Sequence, residues 1–203
     1  MNTNIRKARI EDAGNVEELM YSSGTEFYDY LYKSNSTSAQ EYIALEFLSG
    51  AGTSGFYNVT LIESDATVLG AVCFYTGVEQ KALTRGSVKN IFKYLGVFGG
   101  VRALFAVRHL VSMITIPQED ELYIMNLGIK EECRGQGLGT ILIEHIISRA
   151  PDFEANKVSL DVATNNPMAE KLYSRLGFKV VNTVMPPDIV AHLPGSKKME
   201  MIL

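Results

Sequence analysis

The sequence contains few of the residues that mark disulfide-rich or secreted proteins. Among 203 residues it has no tryptophan and two cysteines, Cys73 and Cys133. Two cysteines are too few for a disulfide framework and indicate a reducing compartment. The first seven residues, Met1 to Lys7, lack the apolar core of a secretory signal, so we expect a cytoplasmic protein.

Charge of either sign is also modest. The net charge is -4, which argues against nucleic acid as a partner, because nucleic-acid binding usually requires a basic face. Hydrophobic residues make up 46% of the chain and charged residues 21%, as in ordinary globular domains. We therefore expect one domain over residues 1–203. No metal site is expected, since no ligand set occurs at metal-binding spacing.

One apolar segment, Ile91 to Ile116, is interrupted by Lys93, Arg102 and Arg108. Three cations inside the segment argue against a membrane span. Its apolar spacing predicts instead a pair of amphipathic helices separated by Gly99-Gly100. The cations are either the solvated face of this pair or a site for an acidic substrate or an anionic membrane surface. Self-association through the same segment, as in a homodimer, stays open.

Alternating and helical apolar patterns predict a mixed α/β (α+β) domain. Four helices are expected outside the apolar segment, at Asp12–Met20, Ser38–Leu48, Ile141–Arg149 and Asn166–Leu176. A helical insertion of about residues 78–120 follows the third strand. Seven strands are expected, at Ile5–Ile10, Phe56–Glu63, Val68–Thr76, Leu122–Ile129, Val158–Val162, Val180–Met185 and Lys198–Leu203.

The segment Arg134-Gly135-Gln136-Gly137-Leu138-Gly139-Thr140 lies at a strand-to-helix junction. Glycines leave backbone N–H groups uncovered there, and the positive end of the helix dipole follows, which favours a phosphate or pyrophosphate. A Walker A loop is excluded because no lysine precedes Thr140. A dinucleotide fingerprint is excluded because its third glycine would fall at Thr140 or Leu142.

The remaining pattern, Arg-x-x-Gly-x-Gly, resembles the GNAT superfamily of acetyl-CoA-dependent N-acetyltransferases. A second motif is similar to the one that follows the fifth strand of that family: Asn166-x-x-Ala169-x-x-Leu172-Tyr173-x-x-x-Gly177-Phe178. The resemblance implies a mixed, mostly antiparallel sheet of about seven strands flanked by helices. The insertion between the third and fourth strands has no counterpart in the minimal fold.

The resemblance implies that acetyl-CoA lies between the fourth and fifth strands. Gly128 inside an apolar strand predicts a bulge at Asn126 to Ile129, which would free backbone groups to bind pantetheine. The cofactor-binding residues expected from the resemblance are Leu127, Gly128, Ile129, Arg134, Gly135, Gln136, Gly137, Leu138, Gly139, Thr140, Asn166 and Tyr173.

The resemblance also implies catalytic roles for two residues. Tyr173 matches the usual general acid, which protonates the departing thiolate, against the alternative of a core tyrosine. Asp161 is the best candidate for the base that deprotonates the amine, with Glu119 and Glu121 as competitors and a purely structural aspartate as the alternative. Relays of water molecules can also remove this proton. Asn166 is expected to cap its helix and to contact the cofactor.

These features predict an N-acetyltransferase that moves the acetyl group of acetyl-CoA to a primary amine by direct attack in a ternary complex. The acceptor is not encoded in any motif, and protein N-termini remain among the candidates. A non-catalytic acyl-CoA-binding or regulatory module of the same fold is the alternative from a different class.

Overall fold

The computed structural model describes residues 2–34 and 36–203. Its strands are β1 (Asn4–Lys7), β2 (Val59–Ser64), β3 (Thr67–Thr76), β4 (Glu121–Ile129), β5 (Lys157–Ala163), β6 (Lys179–Val184) and β7 (Ser196–Ile202). Its α-helices are α1 (Ala13–Ser22), α2 (Thr25–Tyr32), α3 (Ala39–Ser49), α4 (Gly77–Leu110), α5 (Leu138–Arg149) and α6 (Pro167–Arg175).

The strands form one mixed sheet in the order β1-β2-β3-β4-β5-β7-β6, and among the strands of the described residues only β4 and β5 are parallel. This confirms the predicted fold class and the helical insertion between the third and fourth strands. Alternate residues of β3 contact opposite layers, as the two-residue period of a strand requires. Val72 and Phe74 pack with α5, while Ala71 and Cys73 pack with α1 and α3.

The helix α2 was not expected from the sequence. It lies between α1 and the insertion, and its Leu31 packs against Ala106 and Leu110 of α4. Arg102 of α4 donates hydrogen bonds to the carbonyls of Tyr30 (3.1 Å) and Leu31 (2.8 Å) at the end of α2. Contacts from a distant segment therefore stabilise a helix whose aromatic residues have only average helix propensity.

The predicted break at Gly99-Gly100 is wrong, because the insertion is one long helix whose kink lies at Gly96. Gly96 has φ 67° and ψ -178°, a conformation that glycine adopts without steric penalty. Gly100 stays helical and buried. A Cβ at Gly100 would lie 2.5 Å from the ring of Phe92, so the glycine is needed for packing across the kink.

The helix α4 also has the length and composition of a membrane-spanning helix, with a mean hydropathy of 1.2 over an 18-residue window, of which 33% is buried in the protein. Length and composition do not distinguish a span from a long packed helix. The expectation that the chain has no membrane span therefore stays a prediction.

The predicted bulge at Asn126 to Ile129 is displaced, because the bulge in the structure lies one residue before this segment. Cys73 pairs with Asn126 and Phe74 with Ile124, so the extra residue of β4 is Met125. Gly128 is regularly paired with Ala71. Its missing side chain serves a close approach instead, because a Cβ there would lie 2.1 Å from the carbonyl oxygen of Leu19 in α1.

Candidate active site

A gap opens between β4 and β5. Their parallel register runs from Glu121 opposite Lys157 to Ile124 opposite Leu160, and no later pair joins them within the described residues. The bulge at Met125 follows directly and turns β4 away from β5. Beyond this point no strand of the described chain pairs with the β5-facing edge of Leu127 to Ile129, which leaves room for a ligand that adds like a strand.

The glycine loop lies at the end of this gap. Gly135 has φ 76° and Gly137 has φ 83°, and a Cβ at either position would meet no heavy atom within 4 Å. Both glycines thus turn the backbone while leaving open space above it. Helix α5 begins at Leu138, three residues earlier than predicted, so Leu138, Gly139 and Thr140 form its first turn.

No side chain caps α5 in the part of the chain that the structure describes. Its first N–H groups, together with the helix dipole, remain suited to an anion. Gln136 donates to the carbonyl of Glu132 (3.1 Å), which closes the loop on itself. Nε of Arg134 donates to the carbonyl of Ile129 (3.3 Å), so this exposed guanidinium tethers the loop to β4.

Gly139, in the first turn of α5, lies close to side chains of both α6 and β4. A Cβ at Gly139 would lie 3.3 Å from Leu172 and 3.7 Å from Leu127. Asn166 begins α6, and its Oδ1 accepts the N–H of Ala169 (3.1 Å), so the expected N-cap is present. The cofactor contact expected of Asn166 stays a prediction.

Tyr173 is buried, with 7% of its surface exposed, and lies in the core on the α5 side of the sheet. Its ring packs edge-on against Phe178, with 6.0 Å between the centroids. Burial raises the pKa of the phenol to about 12. The hydroxyl therefore stays protonated at every pH at which the protein is expected to work.

Asp161 points to the other side of the sheet and accepts two hydrogen bonds. Oγ1 of Thr115 donates to one carboxylate oxygen (2.9 Å), and the hydroxyl of Tyr123 donates to the other (2.8 Å). Burial raises the pKa of Asp161 above its ordinary value, while these donors act in the opposite direction. The backbone N–H of Thr115 and the side chain of Ser196 also act to lower the pKa of Asp161.

A cavity of about 240 Å³ opens beside Asp161. It is bordered by the segment after α4 and by the last strands of the sheet. The insertion thus contributes directly to this side of the molecule. The lining residues other than Asp161 are Ser112, Met113, Ile114, Thr115, Ile116, Asn182, Val184, Ser196 and Lys198.

The two competing carboxylates differ from Asp161. Glu121 is fully buried and is held by Lys157 (2.7 Å) and Lys198 (3.3 Å) in ion pairs. Although burial opposes it, hydrogen bonds from Lys157 and Ser159 hold the pKa of Glu121 below its ordinary value. Its charge is already compensated, which makes it a structural group rather than a base. Glu119 is exposed before β4.

Asn126 is a polar side chain at this gap that sequence patterns did not indicate. Its Nδ2 lies 2.6 Å from both the hydroxyl of Ser23 and that of Tyr28. Its Oδ1 is buried and has no partner among the described residues. An unpaired buried acceptor beside an open gap is suited to a ligand N–H. The bulge at Met125 places Asn126 there, and a bulge position is not readable from one sequence.

Comparisons with known proteins agree with this geometry. The model of the Acetyltransferase (GNAT) family matches residues 24–178. The probable N-acetyltransferase camello of Xenopus laevis is 35% identical over 72 residues, which cover 36% of this chain and 33% of that protein. The chain thus matches about a third of the length of that curated relative.

Solved structures share the fold across the whole chain. An N-acetyltransferase from Staphylococcus aureus Mu50 superposes with a TM-score of 0.69 at 19% identity, covering 98% of this chain and all of that one. The PaiA N-acetyltransferase of Thermoplasma acidophilum, solved in complex with coenzyme A, superposes with a TM-score of 0.57 at 14% identity, covering 100% of both chains. Because the family model matches most of this chain, the chain belongs to the GNAT family of acetyltransferases.

Proposed function

We propose that this protein is an N-acetyltransferase that uses acetyl-CoA to acetylate a primary amine by direct attack in a ternary complex. The observation that carries the proposal is the open gap between β4 and β5, which ends at an uncapped helix and two left-handed glycines. These are the parts that an extended ligand with a pyrophosphate needs. The homologue solved with coenzyme A supports the same choice of donor.

The chain supplies binding groups along the whole gap. Backbone N–H groups of the Gly135 to Thr140 segment bind the pyrophosphate, and the open edge of Leu127 to Ile129 pairs with the pantetheine amides. Asn166 contacts the donor from the start of α6. Acetyl-CoA supplies an activated thioester at the point where β4 and β5 separate.

Two side chains on opposite sides of the sheet handle the protons. Asp161, with Tyr123 bonded to it, accepts the proton of the attacking amine on the cavity side. Tyr173 acts from the α5 side on the departing sulfur. In this proposal the acceptor and the donor are bound at the same time, which holds the amine beside the thioester for direct attack.

Replacement of Gly137 by alanine tests the donor site. An alanine at this position must keep the left-handed backbone conformation of Gly137, which costs about 1–2 kcal/mol. Its Cβ also enters the open space above the loop. We expect the KM for acetyl-CoA to rise about tenfold, corresponding to about 1.4 kcal/mol, with the KM for the amine unchanged. Gly14→Ala is the matched control, because Gly14 also has free space but lies in helix α1. An unchanged KM for acetyl-CoA would place the donor elsewhere.

Replacement of Asp161 by asparagine tests the acceptor side. A panel of small amines and peptide N-termini is first assayed for release of free thiol from acetyl-CoA. On the best amine, we expect kcat/KM to fall about a hundredfold, because general base catalysis contributes at least that much. Only the ionised carboxylate is a base, so wild-type activity rises with pH through the pKa of Asp161, and this rise is lost in the variant. Asp152→Asn, at an exposed ion pair, is the control. Equal pH profiles for wild type and Asp161→Asn would reject the base.

Failure of the whole panel, with acetyl-CoA still bound, would favour the non-catalytic acyl-CoA-binding module. Activity confined to peptide N-termini would favour a protein N-terminal acetyltransferase. The cytoplasmic location, the single domain over residues 1–203, the homodimer and the lack of nucleic-acid and metal partners remain predictions.

A further inference from the structure

In the second half of α4 the bulky apolar side chains face outward, whereas a packed helix normally buries them. Its buried positions carry mostly small residues, namely Gly100, Ala103 and Ala106, followed by Leu110. Its exposed positions carry the larger side chains. We call these residues the outer face: Val97 (70% exposed), Phe98 (94%), Val101 (44%), Leu104 (37%), Phe105 (60%) and Val111 (61%).

The outer face is a stripe of apolar residues that is interrupted by Arg108 and ends at Val111, directly after α4. Val97, Val101, Leu104 and Val111 recur at helical spacing, with Phe98 and Phe105 alongside them. A helix that is apolar on both its inner and its outer side is normally covered on both. Contiguous exposed apolar surface of this kind marks an interaction site.

From Gln80 onward, the charge along the α4 segment itself is of one sign. No aspartate or glutamate occurs between Gln80 and Gln118, a segment with six lysines and arginines. The remaining residues carry the other 13 cations against all 23 carboxylates, so the rest of the chain has a net charge of -10. Four of the six cations, Lys81, Arg85, Lys89 and Lys93, are exposed and follow one another at intervals of four residues. They form a cationic ridge along the first half of α4.

From this combination we infer that α4 docks the protein on an anionic membrane surface. The outer face enters the boundary between headgroups and acyl chains, and the cationic ridge and Arg108 contact lipid phosphates. The helix lies in the interface without crossing the bilayer. Its kink at Gly96 leaves an apolar half from Val97 to Leu110, which is shorter than the roughly 20 residues needed to span.

Charge complementarity favours lipid over a second copy of the chain. In a twofold interface the same surface meets itself, so Lys93 and Arg108 of one copy would approach the same cations of the other. The segment offers no carboxylate to compensate them. Anionic lipid supplies that compensation along the entire ridge.

Docking at α4 would also orient the acceptor side. Arg102 is not available to lipid, because it holds the last carbonyls of α2. The same helix α2 carries Tyr28, whose hydroxyl contacts Asn126 at the gap. The segment directly after α4 borders the cavity at Asp161. The membrane face and the acceptor cavity are therefore consecutive parts of one structural unit.

Vesicle co-sedimentation of the full chain tests the inference. The protein is mixed with vesicles of phosphatidylcholine alone or of equal parts phosphatidylcholine and phosphatidylserine. We expect binding to the anionic vesicles that weakens as salt is added, and little binding to the neutral ones. Phe98→Asp should lower the partition coefficient at least tenfold, because a phenylalanine that enters the lipid interface is replaced by a charge. Ile202→Asp, at another exposed apolar position, is its matched control.

The cationic ridge is tested separately. Lys89→Gln/Lys93→Gln should weaken binding about fivefold for each lysine removed, while Lys171→Gln/Lys179→Gln, which removes two exposed lysines elsewhere, should not. Equal sedimentation with neutral and anionic vesicles, or none with either, would overturn the inference. A dimeric native mass that Phe98→Asp converts to a monomer, without vesicle binding, would assign the outer face to a second copy and overturn it as well. Because every altered side chain is exposed, thermal unfolding should be unchanged in all variants.

Discussion

Tyr173→Phe is expected to lower kcat about a hundredfold while leaving the KM for acetyl-CoA nearly unchanged. The substitution removes one hydroxyl and retains the ring that packs against Phe178. A single preorganised donor to charge that develops during a reaction commonly contributes two to three orders of magnitude, or about 3 kcal/mol. The effect falls on kcat because the departing sulfur acquires its charge only as the reaction proceeds. The measurement is thiol release under saturating acetyl-CoA and amine.

The environment of Tyr173 refines the role expected from the sequence. An ordinary phenol, with a pKa near 10, is close enough to a thiol to protonate its thiolate. Burial moves the pKa of Tyr173 to about 12, further from that of a thiol. Donation of a hydrogen bond to the departing sulfur is therefore favoured over early transfer of the proton. As a consequence, the wild-type rate should show no loss from ionisation of Tyr173 below about pH 11.

The control for this prediction is Tyr57→Phe, which removes the hydroxyl of an exposed tyrosine before β2. Neither variant should change the far-ultraviolet circular dichroism spectrum, and the free energy of unfolding should stay within about 1 kcal/mol. A Tyr173→Phe enzyme with wild-type kcat would show that the residue is only part of the core. A proportional rise in the KM for acetyl-CoA would show that it binds the donor instead.

The parts of the fold that local patterns define could be predicted from the sequence. All seven strands were expected within a few residues, because their apolar alternation and bounding turns are local. The glycine loop was recognisable because its chemistry depends on spacing alone. The helix α2 was missed, since Phe27, Tyr28 and Tyr30 show no clear helical stripe and the helix depends on Arg102 and α4.

The candidate site divides in the same way. Tyr173 and Asn166 were expected because they lie within one contiguous motif. Thr115 and Tyr123, the donors to Asp161, come from segments 46 and 38 residues away in sequence. Their convergence requires the parallel register of β4 and β5, which no local signal specifies. The sequence places the break of α4 at Gly99-Gly100 and not at Gly96 for a similar reason. Gly100 makes room for the ring of Phe92 and does not form a turn, and this contact is visible only in the folded structure.

The second large effect is expected at Glu46, a buried carboxyl group where the helix α4 packs on α3. Glu46 of α3 is 2% exposed, and Oγ of Ser87 in α4 donates to it at 2.5 Å. Within the described ranges no cation pairs with Glu46. Burial raises the pKa of this carboxyl to about 7, against the opposing effect of hydrogen bonds from Ser87 and Asn90. Below about pH 7 the folded protein therefore holds Glu46 mainly in its neutral form.

Glu46→Gln is expected to stabilise the protein at alkaline pH and to leave it nearly unchanged in acid. The ordinary pKa of the carboxyl is 4.5, so between 4.5 and about 7 the folded state binds more protons than the unfolded state. The free energy of unfolding of the wild type then falls as pH rises through this window and becomes level above it. A difference of roughly 2.5 units corresponds to about 3 kcal/mol. Glutamine, which is neutral and of equal size, avoids this cost.

Urea unfolding at about pH 5 and about pH 8 measures the difference, with Glu41→Gln at an exposed position of the same helix as the control. The variant should exceed the wild type by about 3 kcal/mol at the higher pH and by much less at the lower. A constant difference between the two proteins at both pH values would mean that Glu46 keeps its ordinary pKa and is charged in the fold. The expected result would instead show that the Glu46 carboxyl, at the contact between α3 and α4, lowers the stability of the fold at alkaline pH. Because the cationic ridge and the outer face belong to the insertion, the same variant should keep vesicle binding intact up to a higher pH than the wild type.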